Sequence, residues 1–254
     1  MYVITHKKFK YKLSANYKPL LVGADFNQNS MGYLADNTKE NISNKNKSFC
    51  ELTGMYWLWK NCKDKYIGIS HYRRYFSNKN TLNGIRCESL FTGVPRAISV
   101  KKLDGYLQSY DWIVPKKEKL STNHVTVYEQ FKLAHNIEDL EKTKKIIQEL
   151  YPDYIDAFDK VMSKTEMFIF NMLYTSKEQY DSYCKWLFDI LFALEKQTDI
   201  SDYDEYQQRL YGFIAERLFN VWLEKNSVKV KQLLVFNTST ENRQELIRKV
   251  KNKL

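Results

Sequence analysis

The stretch Tyr66-Ile67-Gly68-Ile69-Ser70-His71-Tyr72-Arg73-Arg74-Tyr75-Phe76 decides the reading of the chain. A short apolar run, YIGIS, leads straight into a histidine, two arginines and two aromatic residues. Such a run bounded by polar residues reads as a buried strand. In open α/β sheets, ligands bind at the carboxyl ends of the strands. The chain thus concentrates its chemistry where such a sheet would hold a ligand. Two adjacent guanidinium groups suit a diphosphate, because each makes bidentate, charge-assisted bonds to phosphate oxygens. His71 adds a third donor or an acid. The competing reading is a surface loop whose arginines pair with nearby carboxylates.

Working outward, Tyr2–Thr5, Leu20–Ala24 and Asp111–Val114 (ended by Pro115) read as further strands. Residues 43–61 read as one helix, with Phe49, Leu52, Tyr56 and Trp59 on a single face and Ser43 or Asn44 as its cap. The stretch Ser77–Gly105 is poorly periodic and reads as a long loop or insertion. The second half is more helical. Residues 135–150 and 154–162 read as helices broken at Pro152, and 177–195 and 205–224 as two more. Met167–Tyr174 reads as a strand, Lys229–Phe236 as a strand or extended segment, and the polar tail as a surface helix. Strands alternating with helices predict an α/β fold whose sheet is at least partly parallel, with a helical C-terminal part.

Composition narrows the classes. The 254 residues are 43% hydrophobic and 28% charged, an ordinary globular balance. Only 8 Gly and 4 Pro exclude collagen-like and low-complexity architectures. Lys and Arg outnumber Asp and Glu 40 to 30, giving a net charge of +10 that favours phosphate in some form or an anionic surface. The basic residues are interleaved with acids and form no stripe, so nucleic acid is not the expected partner. Cys50, Cys62, Cys87 and Cys184 form no CxxC pair and read as reduced thiols, consistent with a cytoplasmic location. No run is long and apolar enough to span a membrane, and the start shows no signal pattern. Motifs of dinucleotide-binding enzymes, P-loop NTPases, nucleophile-elbow hydrolases and zinc proteases are absent.

Other candidates are weaker alone. Ser43, Lys45 and Asn46 at a helix start suit an anion or a sugar, or act only as a cap. Thr5-His6-Lys7 follows the first strand. Asn171, beside Met172 in an apolar strand, must satisfy its amide with backbone or a sugar hydroxyl. Glu216 interrupts an apolar helical stretch and is either paired with Arg209 or Arg217 or is a catalytic base. Tyr128, Glu129, His135 and Asp139 form a polar cluster that is a sugar contact or a solvated helix start. The helix from Lys177 carries Tyr180, Tyr183, Trp186, Leu187 and Phe188, an aromatic face for the core or for a membrane surface.

Thr5-His6-Lys7, Asn41-Ile42-Ser43-x-Lys45-Asn46, Cys50-Glu51-Leu52-Thr53, Tyr56-Trp57-x-Trp59-Lys60-Asn61 and His71-Tyr72-Arg73-Arg74-Tyr75-Phe76 together resemble a bacterial family of glycosyltransferases long known only as a domain of unknown function. Asn171-Met172, Trp186-Leu187-Phe188-Asp189-Ile190-Leu191 and Gly212-Phe213-x-x-Glu216-Arg217-Leu218 extend the likeness over nearly the whole chain. Members lie among genes for capsule and exopolysaccharide synthesis.

The resemblance implies a GT-A-like nucleotide-sugar transferase fold over residues 1–254, with a mixed, mostly parallel sheet flanked by helices. It implies a nucleotide-binding half, 1–115, and an acceptor-binding half, 116–254. The donor would be a UDP-sugar, with galactose or galactofuranose favoured. The acceptor would be a lipid-linked oligosaccharide at the inner face of the membrane. Donor contacts would fall on Thr5, His6, Lys7, Gly23, Lys45, Asn46, His71, Tyr72, Arg73 and Arg74. Acceptor or sugar contacts would fall on Asn171, Met172, Tyr128, His135 and Asp139. Glu216 and His71 would be catalytic. The chain departs from the GT-A pattern at one point: His71-Tyr72-Arg73 stands where Asp-x-Asp would bind Mn²⁺ or Mg²⁺. No cofactor is therefore expected, with Mn²⁺ or Mg²⁺ dependence left as the alternative, and cationic side chains would neutralise the departing UDP. The alternative is a carbohydrate-binding or scaffold protein with a degenerate GT-A shell.

Overall fold

The computed structural model describes residues 1–29, 31–120 and 124–252. In chain order the elements are β1 (Tyr2–Thr5), β2 (Lys18–Leu21), β3 (Leu34–Ala35), α1 (Asn46–Phe49), α2 (Leu52–Asn61), β4 (Tyr66–His71), β5 (Arg74–Phe76), α3 (Leu82–Thr92), α4 (Val100–Tyr106), β6 (Trp112–Pro115) and β7 (Glu118–Lys119). They continue with α5 (Val127–Ala134), α6 (Ile137–Leu150), α7 (Ile155–Met162), β8 (Glu166–Met167), β9 (Leu173–Ser176), α8 (Lys177–Gln197), α9 (Leu210–Lys225), β10 (Val230–Leu233), β11 (Val235–Asn237) and α10 (Arg243–Lys251).

The main sheet runs β10-β6-β9-β4-β1-β2-β3, with β5 bridging β4 to β11 at one corner. β4, β1, β2 and β3 are mutually parallel, as are β6 and β10. β9 lies antiparallel between β4 and β6. The expected mixed, mostly parallel sheet flanked by helices is what the chain forms. Strand residues alternate between two cores, as the pleat requires. Tyr2, Ile4, Ile67 and Ile69 face the core under α2, α8 and α9. Met1, Val3, Tyr174 and Phe236 face the other, with Ile85 of α3 and Leu103 of α4. Gly68 lets the sheet close there: a Cβ would sit 2.2 Å from the Tyr174 ring.

Several elements differ from expectation for local reasons. The helix expected over 43–61 is a 3-10 turn (Ser43–Lys45), then α1, then α2, broken at Cys50 with φ 51°. The Asn46 amide supports the break, donating to the Cys50 carbonyl at 2.6 Å and to Thr53 Oγ at 3.0 Å. The expected strand over 167–174 is interrupted by a turn in which Phe170 and Asn171 take φ 81° and 49°. Ser77–Gly105 is not a loop: α3 starts on the Thr81 cap and α4 on the Ser99 cap. Pro115 ends β6 from inside rather than stopping it short. The aromatic face of α8 is core: Tyr180, Tyr183, Trp186, Leu187 and Phe188 are all buried, so it offers nothing to a membrane. No described helix is long and apolar enough to cross one.

Candidate active site

Because β1, β2 and β4 are parallel, their carboxyl ends emerge along one edge, with Ile4 in register with His71. Over that edge lies a cavity of about 860 Å³. The turn after β4 brings His71, Tyr72, Arg73 and Arg74 to it, the end of β1 brings Thr5 and His6, and α1 brings Asn46. The 168–172 turn closes it through Phe170, and α9 contributes Phe213, Glu216 and Arg217.

His71 Nε2 meets the Phe170 carbonyl at 2.5 Å. A carbonyl only accepts, so Nε2 carries the hydrogen and Nδ1 is left as an acceptor. Desolvation lowers the imidazole pKa, and Arg74 lowers it further, against the opposing pull of Glu51 and the Phe170 carbonyl. The ring is therefore neutral near pH 7. Glu216 Oε1 accepts the Phe170 N–H at 2.9 Å. Burial raises the carboxyl pKa, and Glu51 adds to that; Arg217, the Phe170 N–H and Arg74 oppose it. Arg217 is 4% exposed, donates to the Phe213 carbonyl at 3.0 Å and to Gln130, and lies 3.4 Å from Glu216.

Arg73 lies over the Tyr72 ring and Arg74 over Phe170. Among the described residues neither makes an ion pair, so the surface-loop reading of this arginine pair does not hold. His6 meets Tyr72 edge-on, with its pKa lowered first by burial and then by Lys7, Arg73 and Arg209. The cavity also carries the Glu51, Glu205 and Glu216 carboxylates, and among the described residues no group of three or more His, Cys, Asp or Glu is arranged to hold a metal ion.

Other expected contacts lie elsewhere. Lys45 pairs with Glu195 at 2.6 Å, away from the cavity. Lys7 sits over the outer face of Tyr72. Gly23 lies behind Asn46: its φ is 59°, and a Cβ there would come within 2.5 Å of Asn46 Oδ1. Tyr128 turns away to donate to Glu141, and Asp139 is fully buried beneath the Tyr203 hydroxyl at 2.8 Å. Met172 is core. Asn171 is 2% exposed and does not line the cavity; its amide donates to Glu51 at 2.7 Å, so it braces the turn from below. His135 does reach the cavity, from the end of α5.

Sequence reasoning named no role for Tyr206, Phe213, Gln130 or Asn237, which also line the cavity, and took Arg209 and Arg217 only as partners for Glu216. The spacing of 206, 209, 213 and 216 on one helical face was the available signal. In the structure Arg209 contacts the Cys50 sulfur at 3.3 Å and makes no ion pair among the described residues.

A family profile described as a domain of unknown function (DUF4422) matches residues 1–227. A solved structure of a bifunctional glycosyltransferase, WbbM, in its apo form superimposes with a TM-score of 0.83 at 30% identity. The match takes in 94% of this chain and 45% of that one, so the chain spans less than half of that protein. No curated protein matches.

Proposed function

The chain belongs to the DUF4422 family, and we propose that it is a glycosyltransferase that moves a hexose from a UDP-sugar to a growing oligosaccharide without a metal ion. One observation carries the reading. Two guanidinium groups with no carboxylate partner among the described residues and a buried carboxylate with raised proton affinity line the same cavity at the carboxyl edge of the sheet. The likeness to WbbM supports the transferase class.

In this reading Arg73 and Arg74 hold the diphosphate, and His6 and Tyr72 flank the nucleoside. The acceptor hydroxyl gives its proton to Glu216. Its oxygen forms the new bond to the anomeric carbon as the bond to the UDP oxygen breaks. UDP leaves with that electron pair, and the arginines stabilise its growing charge. His71 holds the Phe170 turn in place and offers Nδ1 to a ligand hydroxyl. Galactose or galactofuranose as the sugar, a lipid-linked acceptor, a capsular or extracellular polysaccharide product, and work at the inner membrane face follow from the family likeness. The net charge of +10 suits an anionic surface.

The test is a thermal-shift panel of UDP, GDP, CMP and dTDP with and without Mn²⁺, since a ligand of the folded state raises Tm by mass action. A shift with UDP that Mn²⁺ leaves unchanged is expected. A shift that requires Mn²⁺, or turnover abolished by EDTA, removes the metal-free mechanism. No shift with any nucleotide makes the chain a carbohydrate-binding scaffold instead.

A further inference from the structure

Beside the catalytic groups the cavity wall carries an aromatic shelf. The ring of His135 stacks on Phe213 at 4.2 Å and 26°, and lies 6.0 Å from Tyr206 at 18°. Tyr206 and Phe213 are themselves 5.0 Å apart. Tyr206 is 54% exposed and lines the cavity.

The shelf has a fixed polar rim. The Gln207 amide donates its Nε2 hydrogens to the Ala134 carbonyl at 2.8 Å, which points Oε1 at His135. His135 Nδ1 lies 2.9 Å from that oxygen and so carries the hydrogen. Burial lowers the pKa of this ring, leaving Nε2 as a neutral acceptor. Arg209 carries its guanidinium over the rings of Phe213 and Tyr206, 5.7 and 5.9 Å from their centroids, as a multiple donor.

The exposed Tyr206 ring beside one fixed acceptor and a fork of donors suits a sugar ring, which offers C–H bonds on one face and hydroxyls at its rim. A nucleobase also offers a flat face and a polar edge, but the ends of β1 and β4 already supply His6 and Tyr72 for it. The shelf is also placed for chemistry. Phe213 and Glu216 are three residues apart on α9, neighbours on one helical face. A sugar on the exposed Tyr206 ring sits in the same cavity as the Glu216 carboxylate. The Nε hydrogen of Arg217, next along the helix, is buried without a partner.

We propose that Tyr206, Phe213 and His135, with Arg209 at the rim, form a saccharide-stacking subsite that holds the terminal ring of the acceptor. This rests on the transferase reading for its role, but the binding of sugar is separately measurable.

The experiment is saturation-transfer NMR of the UDP-loaded protein with methyl β-galactoside, methyl β-glucoside and methyl α-mannoside. Thermal shift with UDP is measured on the same samples. At least one glycoside should receive saturation, strongest on the C–H protons of one ring face. Tyr206→Ala should lose most of that signal, Tyr206→Phe should keep it, and both should retain the UDP shift. Tyr206 is exposed, so its truncation leaves the core intact; a circular dichroism melt without ligand checks this. No glycoside signal from UDP-bound protein, or an undiminished signal in Tyr206→Ala, overturns the proposal. Loss of the UDP shift in Tyr206→Ala would make the shelf the base subsite, which also overturns it. A protein that binds glycosides but no nucleotide would keep the subsite and end the transferase reading.

Discussion

Glu216 accepts the main-chain N–H of Phe170 at 2.9 Å. The candidate base on α9 is thereby tied to a turn with left-handed backbone. The carbonyl of the same Phe170 takes the hydrogen of His71 at the end of β4. One peptide segment thus fixes the base from one side and the imidazole from the other. Positions shared in this way are preorganised, and small displacements are costly to catalysis.

Glu216→Gln keeps an oxygen for the Phe170 N–H but cannot take a proton. It should cut kcat by about 10²–10⁴-fold while UDP affinity stays within about twofold. The base works only when ionised, and burial raises its pKa above the usual 4.5. The acid limb of kcat/KM should therefore lie above the ordinary carboxylate range and vanish in the variant. A pH–rate profile of residual activity checks both; wild-type activity in Glu216→Gln would remove it as the base.

Arg73→Ala and Arg74→Ala should each weaken UDP by roughly tenfold or more, since a hydrogen bond to a charged group contributes about 1.5–3 kcal/mol. The double variant should lose more than either alone. Uridine, which has no phosphate, should bind wild type and variants alike. Calorimetry of UDP and uridine separates the outcomes: equal losses for both ligands would mean that the arginines shape the pocket and do not hold phosphate.

The central strands were legible because apolar runs of four to six residues ending in polar clusters are strong signals; their order in the sheet, with β9 antiparallel between β4 and β6, was not. Side chains that follow a strand end, as His71, Tyr72 and Arg73 do, reach the cavity, a placement the strand pattern made legible. Placement at the cavity was not legible where a partner elsewhere in the chain takes the side chain. Lys45 is taken by Glu195, 150 residues on, and Tyr128 by Glu141. The break at Cys50 was hidden for a similar reason. Its positive φ depends on the Asn46 amide closing back onto it, which helical periodicity does not report. The helix read over 205–224 would have set Tyr206 on the face of Phe213 and Glu216; in the structure α9 starts at Leu210, and Tyr206 reaches the cavity from the turn before it.

The buried Asp36 fixes the loop behind the donor edge. Its carboxylate accepts from the N–H groups of Gly23 and Ala24 at 3.0 Å each and from Ser43 and Thr53 hydroxyls at 2.6 Å each. Asp36→Ala orphans four donors and should cost about 3–5 kcal/mol, the scale for breaking a buried charge network. Gly23→Ala should strain the positive φ and push Asn46 off the cavity wall. Urea unfolding reads the first effect and UDP affinity the second. A Gly23→Ala protein with wild-type stability and affinity would mean that Asn46 moves without consequence.

The histidines make stability depend on pH in a direction their surroundings define. Desolvation is the largest cause of the lowered pKa of His71, and it is also the largest for His6 and His135. In each case the folded state holds fewer protons than the unfolded chain just below the unperturbed value of 6.5. Stability therefore rises with pH through that window, is complete above it, and is lost as pH falls through the folded pKa. His71→Gln removes one contribution while its amide still offers a hydrogen to the Phe170 carbonyl. The variant should show a shallower fall of Tm between pH 6.5 and pH 5 than wild type, at similar stability at pH 8. Melting curves across that range decide it. A fall as steep as wild type would show that His71 protonates freely in the folded state, and so that the imidazole is not held neutral against Phe170.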